Sequence, residues 1–164
     1  MVHNSSPLTP LDAISKQEKL RLRYLDKPFK GFKRVLLFYS LRTHCGVLGA
    51  FHNLLRQLGN ERTLRVAVHE EPYIEPCGGL LLYASSDDGL TGKGTCKGIT
   101  ESGPAANPAF AWTCDPATWH HYSDLVSGLI QFGGGHQYLT SHAANDVQVI
   151  VSSGEYFDED FEGS

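Results

Sequence analysis

Two amphipathic stripes, set among segments of strand length, limit what this chain can fold into. In CGVLGAFHNLLRQLGN the apolar residues are Val47, Leu48, Phe51, Leu54, Leu55 and Leu58, the spacing that lines one face of a helix. Gly59 and Asn60 close that helix. In CDPATWHHYSDLVSGLIQFGGG, Asp115 stands as a cap with Pro116 at the first helical position, and Tyr122, Leu125, Val126, Leu129 and Ile130 form a second stripe. Gly133 to Gly135 stop it. A helix with one apolar face has to bury it against another element, and the other apolar segments offer a sheet.

RVLLFYS is a continuous apolar run and DVQVIVSS a strong strand pattern. TLRVAVHE sets Leu64, Val66 and Val68 against Arg65, Ala67 and His69, the alternation of a half-buried strand. GGLLLYASSDDG reads as a strand entering a turn and FAWTC as a short strand, whereas EPYIEPCGG reads as a connection and residues 91–104 as a Gly-rich loop or exposed edge. Thr9, Pro10 and Asp12 open LTPLDAISKQEKLRLRYL as a peripheral helix. The expected fold is α+β: a mostly antiparallel sheet with two amphipathic helices packed on one face and a peripheral N-terminal helix. Residues 1–31 form the basic helix and linker, 32–153 a single domain, and 154–164 an acidic tail. No internal repeat is visible in the sequence.

With 164 residues, of which 41% are hydrophobic and 20% charged, the chain suits one domain with a real core. The longest apolar runs, Val35 to Tyr39 and Leu80 to Ala84, fall far short of a membrane span. No signal-like segment opens the chain, so a soluble cytoplasmic protein without membrane contact is expected. The four cysteines, Cys45, Cys77, Cys96 and Cys114, form no CxxC pair and are expected as thiols.

Cofactor motifs fail on inspection. GLTGKGTCKG lacks the spacer and the hydroxyl residue of a phosphate loop. His69 to Glu71 followed by Pro76 and Cys77 lacks the second cysteine of a zinc deaminase. No histidine pair stands at helical i, i+4 spacing, so neither metal nor cofactor is expected.

Charge is polarised beneath a net −4: residues 1–35 carry eight Lys/Arg and three acids, while EYFDEDFEGS carries five acids and no base. Glu155, Tyr156, Asp158, Asp160 and Phe161 then read as an acidic, aromatic arm for a basic protein partner, with no direct nucleic-acid contact expected and the oligomeric state left open. The same composition also fits a solvated terminus.

Cys45 stands where the first helix begins, and a thiolate there is stabilised by the helix dipole and unpaired backbone N–H groups. His136 or His142 could serve as its base, oriented by Asn145, Asp146 or Asp158. The segment, with its late histidine and the acidic, aromatic YFDEDF, resembles the leader proteases of aphthoviruses, papain-like cysteine proteases. Ser40 occupies the position five residues before Cys45 where an oxyanion-hole amide would stand. The bland alternative is a small residue at a helix start.

A second resemblance spans Leu64 to Gly135. Gly79, Tyr83, Asp87, Asp88, Gly92 and Gly94, with the order of elements, are similar to the "Imm one" family of polymorphic-toxin immunity proteins. That resemblance implies a small cytoplasmic protein that blocks a toxin, often a nuclease or deaminase, through exposed acidic and aromatic groups. Asp87 and Asp88 would join the tail acids as partner-binding residues, although a Ser-Asp-Asp-Gly turn arises for backbone reasons too. The leading expectation is a non-catalytic protein-binding inhibitor. A papain-like thiol hydrolase using Cys45 is the alternative, and a docking subunit of a larger assembly the second alternative.

Overall fold

The structure is a computed structural model, and it describes residues 18–42, 46–89, 96–103, 107–140 and 147–162, with the backbone alone at 96–98. Nine strands and two α-helices follow one another as β1 (Leu20–Leu25), β2 (Val35–Ser40), α1 (Val47–Asn60), β3 (Arg65–Ala67), β4 (Ile74–Pro76), β5 (Leu81–Ser86), β6 (Cys96–Ser102), β7 (Ala109–Cys114), α2 (Pro116–Phe132), β8 (Gly135–Tyr138) and β9 (Gln148–Ser153), with short 3-10 turns at Val68–Glu70 and Asp158–Phe161, among the described residues.

The α+β class holds, but the sheet divides in two. One sheet has the order β4-β1-β2-β9-β8 and the other β3-β5-β7-β6. Both are mixed rather than mostly antiparallel: β2 runs parallel to β9 and β5 to β7 over six residue pairs each, and hairpin-like antiparallel partners flank each pair. Strand partners are chosen by non-local packing, which local patterning does not encode.

A topological repeat accompanies the division. β1-β2-α1-β3-β5 and β6-β7-α2-β8-β9 share the sequence strand, strand, helix, strand, strand. In each half the first two strands pair with the last two strands of the other half. Neither half therefore completes a sheet by itself.

The expected N-terminal helix does not extend through LRLRYL. Those six residues are β1, antiparallel to β2, while residues 1–17 lie outside the described residues. Leu20 and Leu22 point into the helix-facing core and Arg21 and Arg23 to the other face, a period of two that wins over the helix propensity of Leu and Arg. The connection at Ile74–Pro76 supplies a short strand parallel to β1, the segment expected as a Gly-rich loop or exposed edge contains the edge strand β6, and the glycines that end α2 lead directly into β8.

Both helices form as the stripes require. In α1 the six stripe residues are all buried. In α2 the Asp115 carboxylate accepts the Thr118 N–H at 2.7 Å, and Gly133 ends the helix at φ 75°, a conformation glycine adopts without strain. The stripe of α2 is less complete than its spacing suggests, since Ile130 is 37% exposed. The helices pack against each other closely: a Cβ on Gly59 would lie 2.8 Å from the His120 ring. Phe38 stacks on Phe51 at 4.7 Å and Trp112 meets Trp119 edge-on at 4.7 Å, so each sheet sends one face into a common core with the helices.

Candidate functional site

The opposite face of the first sheet holds the densest polar arrangement among the described residues. Strand register sets a row across it: Glu75 on β4, Arg21 on β1, Tyr39 on β2, Ser152 on β9 and His136 on β8 are successive cross-strand partners. Residues two apart on one strand share a face, so an apolar row of Leu37, Ile150 and Tyr138 runs beside the polar one.

The last described segment folds over both rows. Lys30 and Gly31, with φ 53° and 85°, form a tight turn between Phe29 and Phe32, whose backbones exchange two 2.9 Å hydrogen bonds. Positive φ at both central residues matches a hairpin turn of the primed type. Phe29 then packs on Tyr156 at 5.5 Å and Phe32 on Tyr138 at 5.6 Å, while Phe161 meets Tyr39 at 5.3 Å. Val35, Leu37, Tyr39 and Ile150 form a second core beneath them.

Two acids of this segment bind the polar row. Asp158 receives the Tyr39 hydroxyl at 2.7 Å and Arg21 Nε and Nη2 at 3.3 and 3.4 Å. Burial raises the Asp158 carboxyl, but the Tyr39 hydrogen bond and then Arg21 outweigh it and hold it below its ordinary range. Burial, followed by the hydrogen bond to Asp158, pushes the Tyr39 hydroxyl well above the usual phenol range, so it remains a donor. Glu155 meets His136 Nδ1 at 3.0 and 3.1 Å and accepts the Ser152 hydroxyl at 2.8 Å.

Chemically, Glu155 orients His136 through Nδ1, the manner in which a carboxylate fixes a catalytic imidazole. Ser152 donates to the carboxylate and not to the imidazole, so the three do not form a nucleophile, base and orienter chain. Cys45, His142, Asn145 and Asp146 lie outside the described residues. Asp158 sits with Arg21 and Tyr39, not with His136. Cys77 lies near Arg23, and burial, outweighing Arg23, pushes its thiol up.

Among the other expected partner-binding residues, Tyr156 and Phe161 pack inward on the sheet, Asp160 caps the Phe157 N–H at 2.8 Å, and Phe157 is 53% exposed. Asp87 accepts the Gly89 N–H at 2.9 Å and Asp88 lies 4.0 Å from Arg62, both after β5 in the second sheet. Sequence reasoning missed Arg21, Tyr39 and Ser152. The alternation of LRLRYL was the available signal for Arg21; the others join the row only through register.

The second sheet presents a different surface. Away from the core it carries Leu81, Tyr83 and Ser85 on β5 and Ala109, Ala111 and Thr113 on β7, none of them charged and none fully buried. Arg65 lies over the Tyr83 ring at 5.0 Å, His69 meets its edge at 5.1 Å, and Ser85 and Thr113 share a 3.0 Å hydroxyl hydrogen bond. No described segment buries this face as the C-terminal segment buries the first.

No protein-family model, curated protein or solved structure matches the chain. Among the described residues no group of His, Cys, Asp or Glu could hold a metal ion, and no described helix is long and apolar enough to cross a membrane.

Proposed function

We propose that this protein is a non-catalytic binding protein that masks the surface of a protein partner, with the open face of the second sheet as its contact surface. One observation carries this: β5 and β7 are a parallel pair with six registered partners and only one face in the core. Parallel pairs are ordinarily covered on both faces. The β2–β9 pair obeys that rule. An uncharged centre with an aromatic anchor, Tyr83, and charged residues at its margin is also the anatomy of a protein interface. Asp87 and Asp88 stand at the end of β5 and would favour a basic partner, in keeping with the immunity-protein resemblance.

The test uses the full chain as bait, with a photo-crosslinker at position 83. A partner should cross-link there, remain bound to Cys45→Ala, and be lost with Ala111→Arg, which places a charge at the centre of the face. Retention by Ala111→Arg would sink the proposal. Hydrolytic turnover that vanishes in Cys45→Ala and His136→Ala would favour the thiol hydrolase instead, a reading that rests on the Glu155-oriented His136.

A further inference from the structure

β1 places two arginines on the same face, and they meet different fates. Arg21 is buried and paired with Asp158. Arg23 is half-buried with no carboxylate at ion-pair distance among the described residues; its one hydrogen bond runs from Nη2 to the Tyr39 hydroxyl at a long 3.4 Å, and its buried Nε has no partner. A guanidinium has five N–H donors and stays charged; burial works against that charge, and the Tyr39 hydroxyl and, from beyond ion-pair distance, the Asp158 carboxylate offset it while leaving donors unmatched. Stacking on Phe161, 4.9 Å from the ring centroid, adds to that offset.

The nearby tail acids are committed elsewhere. Asp158 serves Arg21 and Tyr39, and Asp160 serves the Phe157 amide. Beside Arg23 the β1–β2 turn and the C-terminal segment line a half-open cleft of about 370 Å³, walled by Leu25, Phe29 and Phe161. That volume falls within the range of small-molecule sites, which combine apolar walls with a few orienting polar groups. Asp26 and Lys27 stand on its exposed rim and offset each other.

From this juxtaposition we infer that the cleft binds a small carboxylic acid with an apolar body: the carboxylate pairs with the terminal nitrogens of Arg23 and the body lies against Phe29 and Phe161. A planar monoanion matches a single guanidinium, whereas a dianion would need a second cation, and the other one on the lining, Lys27, is offset by Asp26.

Titration of the full chain with benzoate, followed by NMR, tests the site. Benzoate should shift the Arg23 side-chain and Phe161 ring signals saturably, while benzyl alcohol and inorganic phosphate at equal concentration do not. Arg23→Gln should weaken binding about tenfold or more, and Arg23→Lys, which keeps the charge without the planar fork, by less. A dispersed spectrum of each variant verifies that it is folded. Absence of saturable shifts up to about 10 mM benzoate would overturn the inference. So would equal binding of benzyl alcohol or phosphate, or unchanged affinity in folded Arg23→Gln.

Discussion

The β2–β9 and β5–β7 pairs occupy equivalent places in the repeated topology, yet one is buried throughout and the other on alternate residues only. Every residue of β2 and β9 is buried, while β5 and β7 alternate. The pairing Leu37 with Ile150 in the first corresponds by position to Ala111 with Tyr83 in the second. Topology is therefore not what decides whether a strand pair is covered. The cover is supplied by a local hairpin turn with its two phenylalanines and by the C-terminal segment, which fasten to the first sheet alone. The acidic tail that looks like a solvated arm in the sequence keeps most of its residues exposed but packs two partly buried aromatics, Tyr156 and Phe161, against the core on that side.

The comparison breaks most sharply at Leu37. Leu37→Ala should cost about 2–5 kcal/mol, as a large-to-small change in a closed core does. A loss below about 1 kcal/mol in urea denaturation would mean that the outer core is loose and that the two sheets differ less than they seem.

Asp158 offers an intermediate effect. Replacing it with alanine removes the Asp158 carboxylate from buried Arg21 and the acceptor from the Tyr39 hydroxyl, for an expected loss of about 1–3 kcal/mol near pH 7. The sign of its pH dependence follows from a folded-state pKa below the unfolded one. The stabilisation is complete above the unfolded value of about 3.9 and is lost as pH falls through the lower folded value. Asp158→Asn should lack this acid-side loss, so the gap in denaturation midpoint between wild type and variant should narrow as pH drops below about 4. A constant gap from neutral to acid pH would separate the tail from the stability of the sheet.

The smallest effect belongs to the open face. Ala111→Ser should change stability by no more than about 0.5 kcal/mol, because position 111 is exposed at the centre of β7. A loss approaching that at Leu37 would mean the face is covered in solution by a part of the chain or by another copy, and the proposed contact surface would need to be sought elsewhere.

Much of this contrast was legible before any coordinates. VLLFYS is continuous, as strands buried on both faces are, and FAWTC alternates bulky with small or polar residues, as half-exposed strands do, whereas LLYAS shows no such alternation and its open face emerges only in the structure. Asp115, Pro116 and Gly133 marked α2 through local backbone chemistry. β1 was obscured because its leucines and arginines also favour helix and follow a helix-start signal; β8, in GHQY, has too few apolar residues to register as a strand. The candidate site was half visible. His136 and Asp158 carry chemistry in any context, but nothing in the sequence near either one names Glu155 or Arg21 as its partner.

What the amino-acid sequence by itself determined is the set of local elements and which of their faces are apolar, since caps, turns and hydrophobic periods act over a few residues. Tertiary structure alone decided that the strands divide into two sheets, that each half completes the other, and that Asp158 neutralises Arg21 while Arg23 is left beside a cleft. Those outcomes depend on register between segments more than a hundred residues apart, as for Arg21 and Asp158. Such register is fixed only when burial, charge pairing and chain closure are satisfied together.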